Sequence, residues 1–232
     1  MKIRLAADLQ SDSIVDGEGI RTVIWTQGCP HHCPGCHNPS THSFNDGCLI
    51  DTKEIKEELK TIKNQTGITF SGGDPMCQPE ACLDIAKYAR KLGLNVWCYT
   101  GYTYEELLAT NSQAIMNFLK EIDVLVDGRF ILSQKSLNIR FRGSKNQRLI
   151  DVKKSLERNE LVLKEFDIIE KQMDVIADFP DIEKIEPMTH ALDDFTYVLR
   201  EDVKEESVPI EDLLKNCDRY DGREIEVPKV VG

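Results

Sequence analysis

No run of apolar residues in this 232-residue chain is long enough to cross a membrane. The opening MKIRLAADLQSD also lacks the apolar stretch of a secretory signal. Both absences lead to the expectation of a cytoplasmic protein with no membrane partner. Basic charge is in deficit, with 29 Lys+Arg against 40 Asp+Glu and a net charge of −11. The deficit is local: residues 151–232 hold 12 basic and 23 acidic side chains, whereas residues 1–150 hold 17 of each. Neither part carries the basic excess that a nucleic-acid backbone demands, so no nucleic-acid partner is expected. A dinucleotide fingerprint is missing too. Gly17-Glu18-Gly19 precedes its strand and no third glycine opens a helix, so it reads as a structural turn.

Cysteine is not scarce. Eight cysteines in a chain of cytosolic character argue for metal or redox chemistry more than for disulfides. Cys29, Cys33 and Cys36 stand in GCPHHCPGCHNP with C-x3-C-x2-C spacing, directly after the strand-like TVIWTQG. Three thiolates on one short loop can hold three irons of a [4Fe–4S] cubane and leave the fourth iron open, whereas ferredoxin-type carriers use four cysteines. The competing reading is a structural zinc site completed by His31, His32, His37 or His42. Zinc ligands usually come as two short pairs across a longer spacer, and here three cysteines lie within eight residues. Cys77, Cys82, Cys98 and Cys217 are scattered, as expected of small apolar core residues. Cys48 is near enough to the loop to stay ambiguous.

Downstream, DTKEIKEELKTIKNQ (51–65) places Ile55, Leu59 and Ile62 on one helical face. ITFSGGDP (68–75) reads as a strand entering a glycine turn, and PEACLDIAKYARKLG (79–93) as a helix stopped by Gly93. NVWCYTGY (95–102) is a strand, Thr103 and Glu106 form a capping box, QAIMNFLKEI (113–122) is a helix and DVLVDGRF (123–130) a strand. This alternation predicts an α/β fold with a parallel sheet and right-handed crossovers. GCPHHC, SGGDP, TGY and DGRF each follow a strand. In a parallel barrel they would meet at one mouth.

In Ser71-Gly72-Gly73-Asp74-Pro75, the glycines permit close approach of a ligand to the backbone and Asp74 offers a charge that suits an ammonium group. An ordinary tight turn has the same composition. Asp127, in Asp127-Gly128-Arg129-Phe130, would accept hydrogen bonds from a ribose or an ammonium if it pointed into the mouth. The polar run from Arg140 to Arg148 reads otherwise as a solvated loop, and His190 as structural or on the surface.

The runs VDGEGIRTVIWTQGCPHHCPGCHNPST, FSGGDP, WCYTGYT, DVLVDGRF and RGSKNQRLIDVKKSL carry a resemblance. The chain resembles radical S-adenosylmethionine (SAM) enzymes, and among them the activating proteins of anaerobic (class III) ribonucleotide reductase. The likeness spans almost everything from residue 14 to about 165. It implies a partial (β/α) TIM-like barrel with Cys29, Cys33 and Cys36 as cluster ligands and SAM chelating the open iron. Gly72, Gly73, Asp74 and Pro75 would hold the methionine amino group, with Ser71 beside them and Asp127 as a further SAM contact. No catalytic residue is implied beyond the cluster and SAM. One electron would cleave SAM to methionine and a 5′-deoxyadenosyl radical, which would take a hydrogen atom from a glycine of the reductase large subunit. A low-potential donor such as flavodoxin or ferredoxin would supply the electron. Many radical SAM loops have an aromatic residue before the last cysteine; here it is Gly35, so adenine packing must come partly from elsewhere.

The resemblance divides the chain into a core at 1–165 and an acidic, partly helical extension at 166–232. Across 161–179, Val162, Phe166, Ile169, Met173 and Ile176 recur as on one helix face, which suits a solvated appendage or a docking segment. The alternative functions are an activase of pyruvate formate-lyase or another glycyl-radical enzyme, a radical SAM enzyme of deazapurine synthesis, and a non-enzymatic zinc module. The 35 residues between Cys36 and Gly72 contain only Cys48, which excludes a two-cluster ferredoxin-like insert.

Overall fold

The fold is that of a computed structural model, which describes residues 1–165, 220–221 and 224–225. The chain forms two compact units, Met1–Ile168 and Ile169–Gly232. In the second, the described residues make an antiparallel pair, Tyr220–Asp221 with Glu224–Ile225. The apolar stripe expected beyond residue 165, Cys217 and His190 lie outside the described residues.

The first unit is built on an eight-stranded mixed sheet. Its centre is parallel: β3 (Arg21–Thr26), β5 (Gly67–Gly72), β6 (Asn95–Tyr99) and β7 (Val124–Asp127) lie side by side in that order. The flanks depart from the all-parallel expectation. β1 (Lys2–Leu5) runs antiparallel between β3 and β4 (Cys48–Asp51), β2 (Gln10–Ser13) pairs antiparallel with β3, and β8 (Arg148–Asp151) closes the far edge against β7. Four-residue strands such as β1 and β8 carry too short a pattern for periodicity to reveal.

Period-2 alternation sorts the strand side chains onto two unlike faces. Ile24, Ile68, Phe70, Val96, Cys98, Leu125 and Ile150 enter one core. That core also receives Ile55 and Leu59 of α1 (Thr52–Thr61), Ile85 and Ala89 of α2 (Pro79–Lys91), Leu107 of α3 (Tyr104–Ala109), Phe118 of α4 (Gln113–Leu119) and Val152 of α5 (Val152–Arg158). Phe70 and Phe118 meet edge to face at 5.3 Å between ring centroids. The alternate residues Trp97, Val124, Val126 and Leu149 form a smaller cluster that contains no helix residue and packs instead against Tyr99 and Phe141. The helices therefore cover one face, and the other stays available for a site.

Local chemistry explains the element ends. Asp51 caps α1 by accepting from the Lys53 amide, and Thr103 and Glu106 form the expected capping box on α3. α2 stops in a Schellman motif: Gly93 takes φ +80° while the Leu94 and Gly93 amides return to Ala89 and Arg90. α1 ends at Thr61, four residues before the expected end, because Thr66 is already bonded to the Ile20 carbonyl through both its amide and its hydroxyl. Pairing β5 with β3 overrides helix propensity there. Among the described residues, no helix is long and apolar enough to cross a membrane.

Candidate cluster and cofactor site

The loop after β3 leaves the sheet at Gly28, whose amide donates to the Thr41 carbonyl at 2.8 Å, while the Cys29 amide donates to His42. The buried Gln27 side chain clamps the returning limb by donating to the carbonyls of Ser40 and Ser43. Within the loop the Cys36 amide donates to the Cys33 carbonyl, and Gly35 takes φ +72°. Cys29, Cys33 and Cys36 all line one cavity of about 720 Å³ and are all partly buried. Burial pushes the Cys29 thiol up to about 11; the Asp74 charge adds to this and the His31 amide hydrogen bond opposes it.

The same cavity is lined by Ser71, Gly72 and Gly73, by Tyr99, Thr100 and Gly101, and by Gly128 and Phe130. All four strand-end motifs thus meet at the C-terminal ends of the parallel strands. The glycine turn is packed tightly against the cysteine strand. Gly73 donates to the Thr26 carbonyl and Asp74 to the Gly28 carbonyl, and a Cβ at position 73 would lie 2.5 Å from the Gly28 oxygen. Gly72 has φ +93°, and a Cβ there would meet the Thr26 backbone. These glycines are required by the chain's own close approach.

Asp74, Pro75 and Asp127 do not line this cavity. Asp74 is 1% exposed and accepts from the Met76 amide, the Thr100 hydroxyl, the Gly101 amide and His31. Asp127, also 1% exposed, accepts from Arg148 and from the Tyr104 amide at the start of α3. Arg148 in turn grips Glu105 and is pushed up by the hydrogen bonds it donates to Asp127 and Glu105. Local sequence gave no sign of either arrangement, because the partners lie far along the chain.

Three cysteines on one loop that opens into the cavity fit a cluster, while Cys29, His31 and Asp74 also converge, with ligand atoms within 4.8 Å of one another, as a group able to hold a single metal ion. The Nε2 atom of His31 is engaged by Asp74 at 2.8 Å, His32 and His42 meet edge to face, and His37 packs on Phe130. At position 35 the φ of +72° strains any side chain, and a Cβ there would have to displace the exposed end of Leu132, 2.9 Å away. Aromatic lining comes instead from Trp25, Tyr99, Phe130 and Phe141. Arg142 also lines the cavity, and its buried Nε atom has no hydrogen-bond partner, which suits an anionic ligand group. Arg21 is a further residue that motif reading passed over. It is fully buried beneath Trp97, bonded to Thr69, Asn95, Glu18 and Ile68, and burial lowers it to about 10.

Comparison with known proteins places this arrangement. The family model described as a 4Fe-4S single cluster domain matches residues 15–150. The anaerobic ribonucleoside-triphosphate reductase-activating protein of Escherichia coli K12 is 38% identical over 144 residues, covering 58% of this chain and 90% of that protein. The protein of the same name from Haemophilus influenzae is 38% identical over 143 residues (58% and 89%), and that of phage T4 is 33% identical over 144 (58% and 86%). The chain belongs to the family of 4Fe-4S anaerobic ribonucleoside-triphosphate reductase-activating proteins. A second family model, the C subunit of Glu-tRNAGln amidotransferase, matches residues 155–227.

Proposed function

We propose that this chain activates an anaerobic ribonucleotide reductase by generating a glycyl radical on its large subunit. The observation that carries the proposal is the single cavity where three cysteines, a glycine turn and the Thr100-Gly101 turn meet, in a member of this family. Cys29, Cys33 and Cys36 would hold the cluster, and Ser71, Gly72 and Gly73 would border bound SAM. When bound, the reduced cluster and SAM supply the one-electron chemistry that hydrogen-atom abstraction needs. The protein's share is to orient and to exclude water. Arg142 offers an unpaired donor for the SAM carboxylate, and Trp25, Tyr99, Phe130 and Phe141 offer apolar surface for its adenosyl group. In this reading the central strands curve as a partial barrel, Asp74, Pro75 and Asp127 support the site from behind, and a cytoplasmic donor such as flavodoxin or ferredoxin delivers the electron.

Anaerobic reconstitution is expected to give about four irons and four sulfides per chain, and SAM is expected to be cleaved on reduction. Incubation with the reductase is expected to produce a glycyl-radical paramagnetic resonance signal. Retention of a full cluster in Cys29→Ala, Cys33→Ala or Cys36→Ala would remove the ligand assignment. Activation of pyruvate formate-lyase in place of the reductase would overturn the partner.

The match over residues 155–227 favours a second, separate role for the acidic extension. There the chain would serve as a C-subunit-like segment of an amidotransferase. Copurification of the full-length chain with other amidotransferase subunits tests it.

A further inference from the structure

Asp74 and His31 come from different motifs, the glycine turn and the cysteine loop, yet their side chains meet at 2.8 Å with exposures of only 1% and 3%. Every direction around the carboxylate is taken. Oδ1 accepts from the Met76 amide and Oδ2 from the Gly101 amide, each at 3.0 Å; the Thr100 hydroxyl lies 3.0 Å from both oxygens, and Oδ2 also faces His31 Nε2. A carboxylate has about four lone-pair positions, so none is left for a cofactor ammonium group. The His31 ring is held on its other sides as well. It meets Tyr102 edge-on at 4.4 Å, and a Cβ on Gly101 would lie 2.3 Å from its Cδ2 atom, so the ring sits on the Gly101 backbone. The same histidine stands two residues after Cys29 in the cysteine loop. His31 therefore joins three segments: its backbone belongs to the cysteine loop, its ring reaches Asp74, and its edge rests on the Thr100–Tyr102 turn.

We propose that His31 and Asp74 are a positioning pair, a buried latch that locks the cysteine loop to the glycine turn and the Thr100–Tyr102 turn and so sets the place of Cys29. This rests on the reading of Cys29 as a cluster ligand. It assigns Asp74 to the protein's own framework and not to the SAM ammonium group. Hydrogen bonds to cluster sulfurs tune reduction potential, and groups behind the ligands govern how firmly a metal is held.

The test is a double-mutant cycle in the full-length, reconstituted protein, with His31→Leu, Asp74→Asn, the double variant and the conservative His31→Gln, whose amide can still donate to Asp74. Cluster loss to a chelator is expected to quicken about ten-fold in His31→Leu and in Asp74→Asn, with a shifted cluster midpoint potential in both. The double variant should be no faster than either single one, because both remove one interaction, and His31→Gln should recover most of the loss. Hydrogen exchange of the cluster-free chain should quicken at residues 29–38 and 100–102 together in either single variant. Additive losses in the double variant would overturn the latch. So would weakened SAM binding in Asp74→Asn with unchanged cluster loss and an indifferent His31→Leu. If the parent chain assembled no cluster, the proposed function would fail by itself, and the exchange measurement would still decide the latch.

Discussion

Position 73 admits no side chain because its α-carbon faces the Gly28 carbonyl, next to the first cysteine. Gly73→Ala is expected to destabilise the first unit by about 1–3 kcal/mol through overpacking and to disturb the cysteine loop along with the glycine turn. Chemical denaturation and iron content measured on one variant check both effects. An alanine that left both unchanged would show that β3 and β5 can part without cost. The glycine turn was legible in the sequence as a turn and as part of a site, but not as a packing contact. The nearness of the three cysteines was the most legible feature, because their spacing keeps them on one short loop, and all three do line one cavity. Asp74 and Asp127 were the least legible. A carboxylate beside a glycine turn suggests an exposed ligand-binding group, whereas their partners His31 and Arg148 stand 43 and 21 residues away. Only the folded sheet brings those pairs together.

At the scale of elements, the order of the parallel strands and their helices was readable because each is a long enough stretch of one period. What was not readable depends on pairing between distant segments: the antiparallel β1, β4 and β8, and the early end of α1. Asp123, just before β7, shows how such distant pairing is held. Its carboxylate accepts from the Val96 amide on β6, from Arg90 on α2 and from Lys153 on α5. Burial alone would push this carboxyl up, but the hydrogen bonds from Lys153 and Val96 and the Arg90 charge outweigh it and hold it below its ordinary value. A carboxyl depressed in the folded state adds stability above its unfolded value, about pH 4, and loses it as pH falls through the folded value. Asp123→Asn is therefore expected to cost about 1–3 kcal/mol near neutrality, as for hydrogen bonds to a charged group, and to flatten the acid limb of the stability profile. Tryptophan fluorescence reads this in the first unit, since Trp25 and Trp97 are the chain's only tryptophans. An acid limb as steep as the parent's would relieve Asp123 of this role.

For the whole molecule, charge and family likeness divide the chain in nearly the same place. Residues 1–150 are neutral and match the cluster domain, whereas the net charge of −11 falls within 151–232, most of which matches an amidotransferase C subunit. Composition and an apolar stripe could mark that second segment as an appendage able to dock, but neither property identifies what it resembles. The boundary between the two compact units falls later, between Ile168 and Ile169. If the second unit serves a separate partner, deleting residues 169–232 should leave cluster content, SAM cleavage and the reductase glycyl-radical signal at parent levels. The same deletion should abolish copurification with amidotransferase subunits. Truncation before Val152 should behave differently, because α5 contributes Val152 to the helix-side core and Lys153 to Asp123. Loss of SAM cleavage on removing 169–232 would make the extension part of the activase. Loss of the radical signal alone would make it a docking arm for the reductase, and the amidotransferase reading would then fall unless copurification persisted in the full chain.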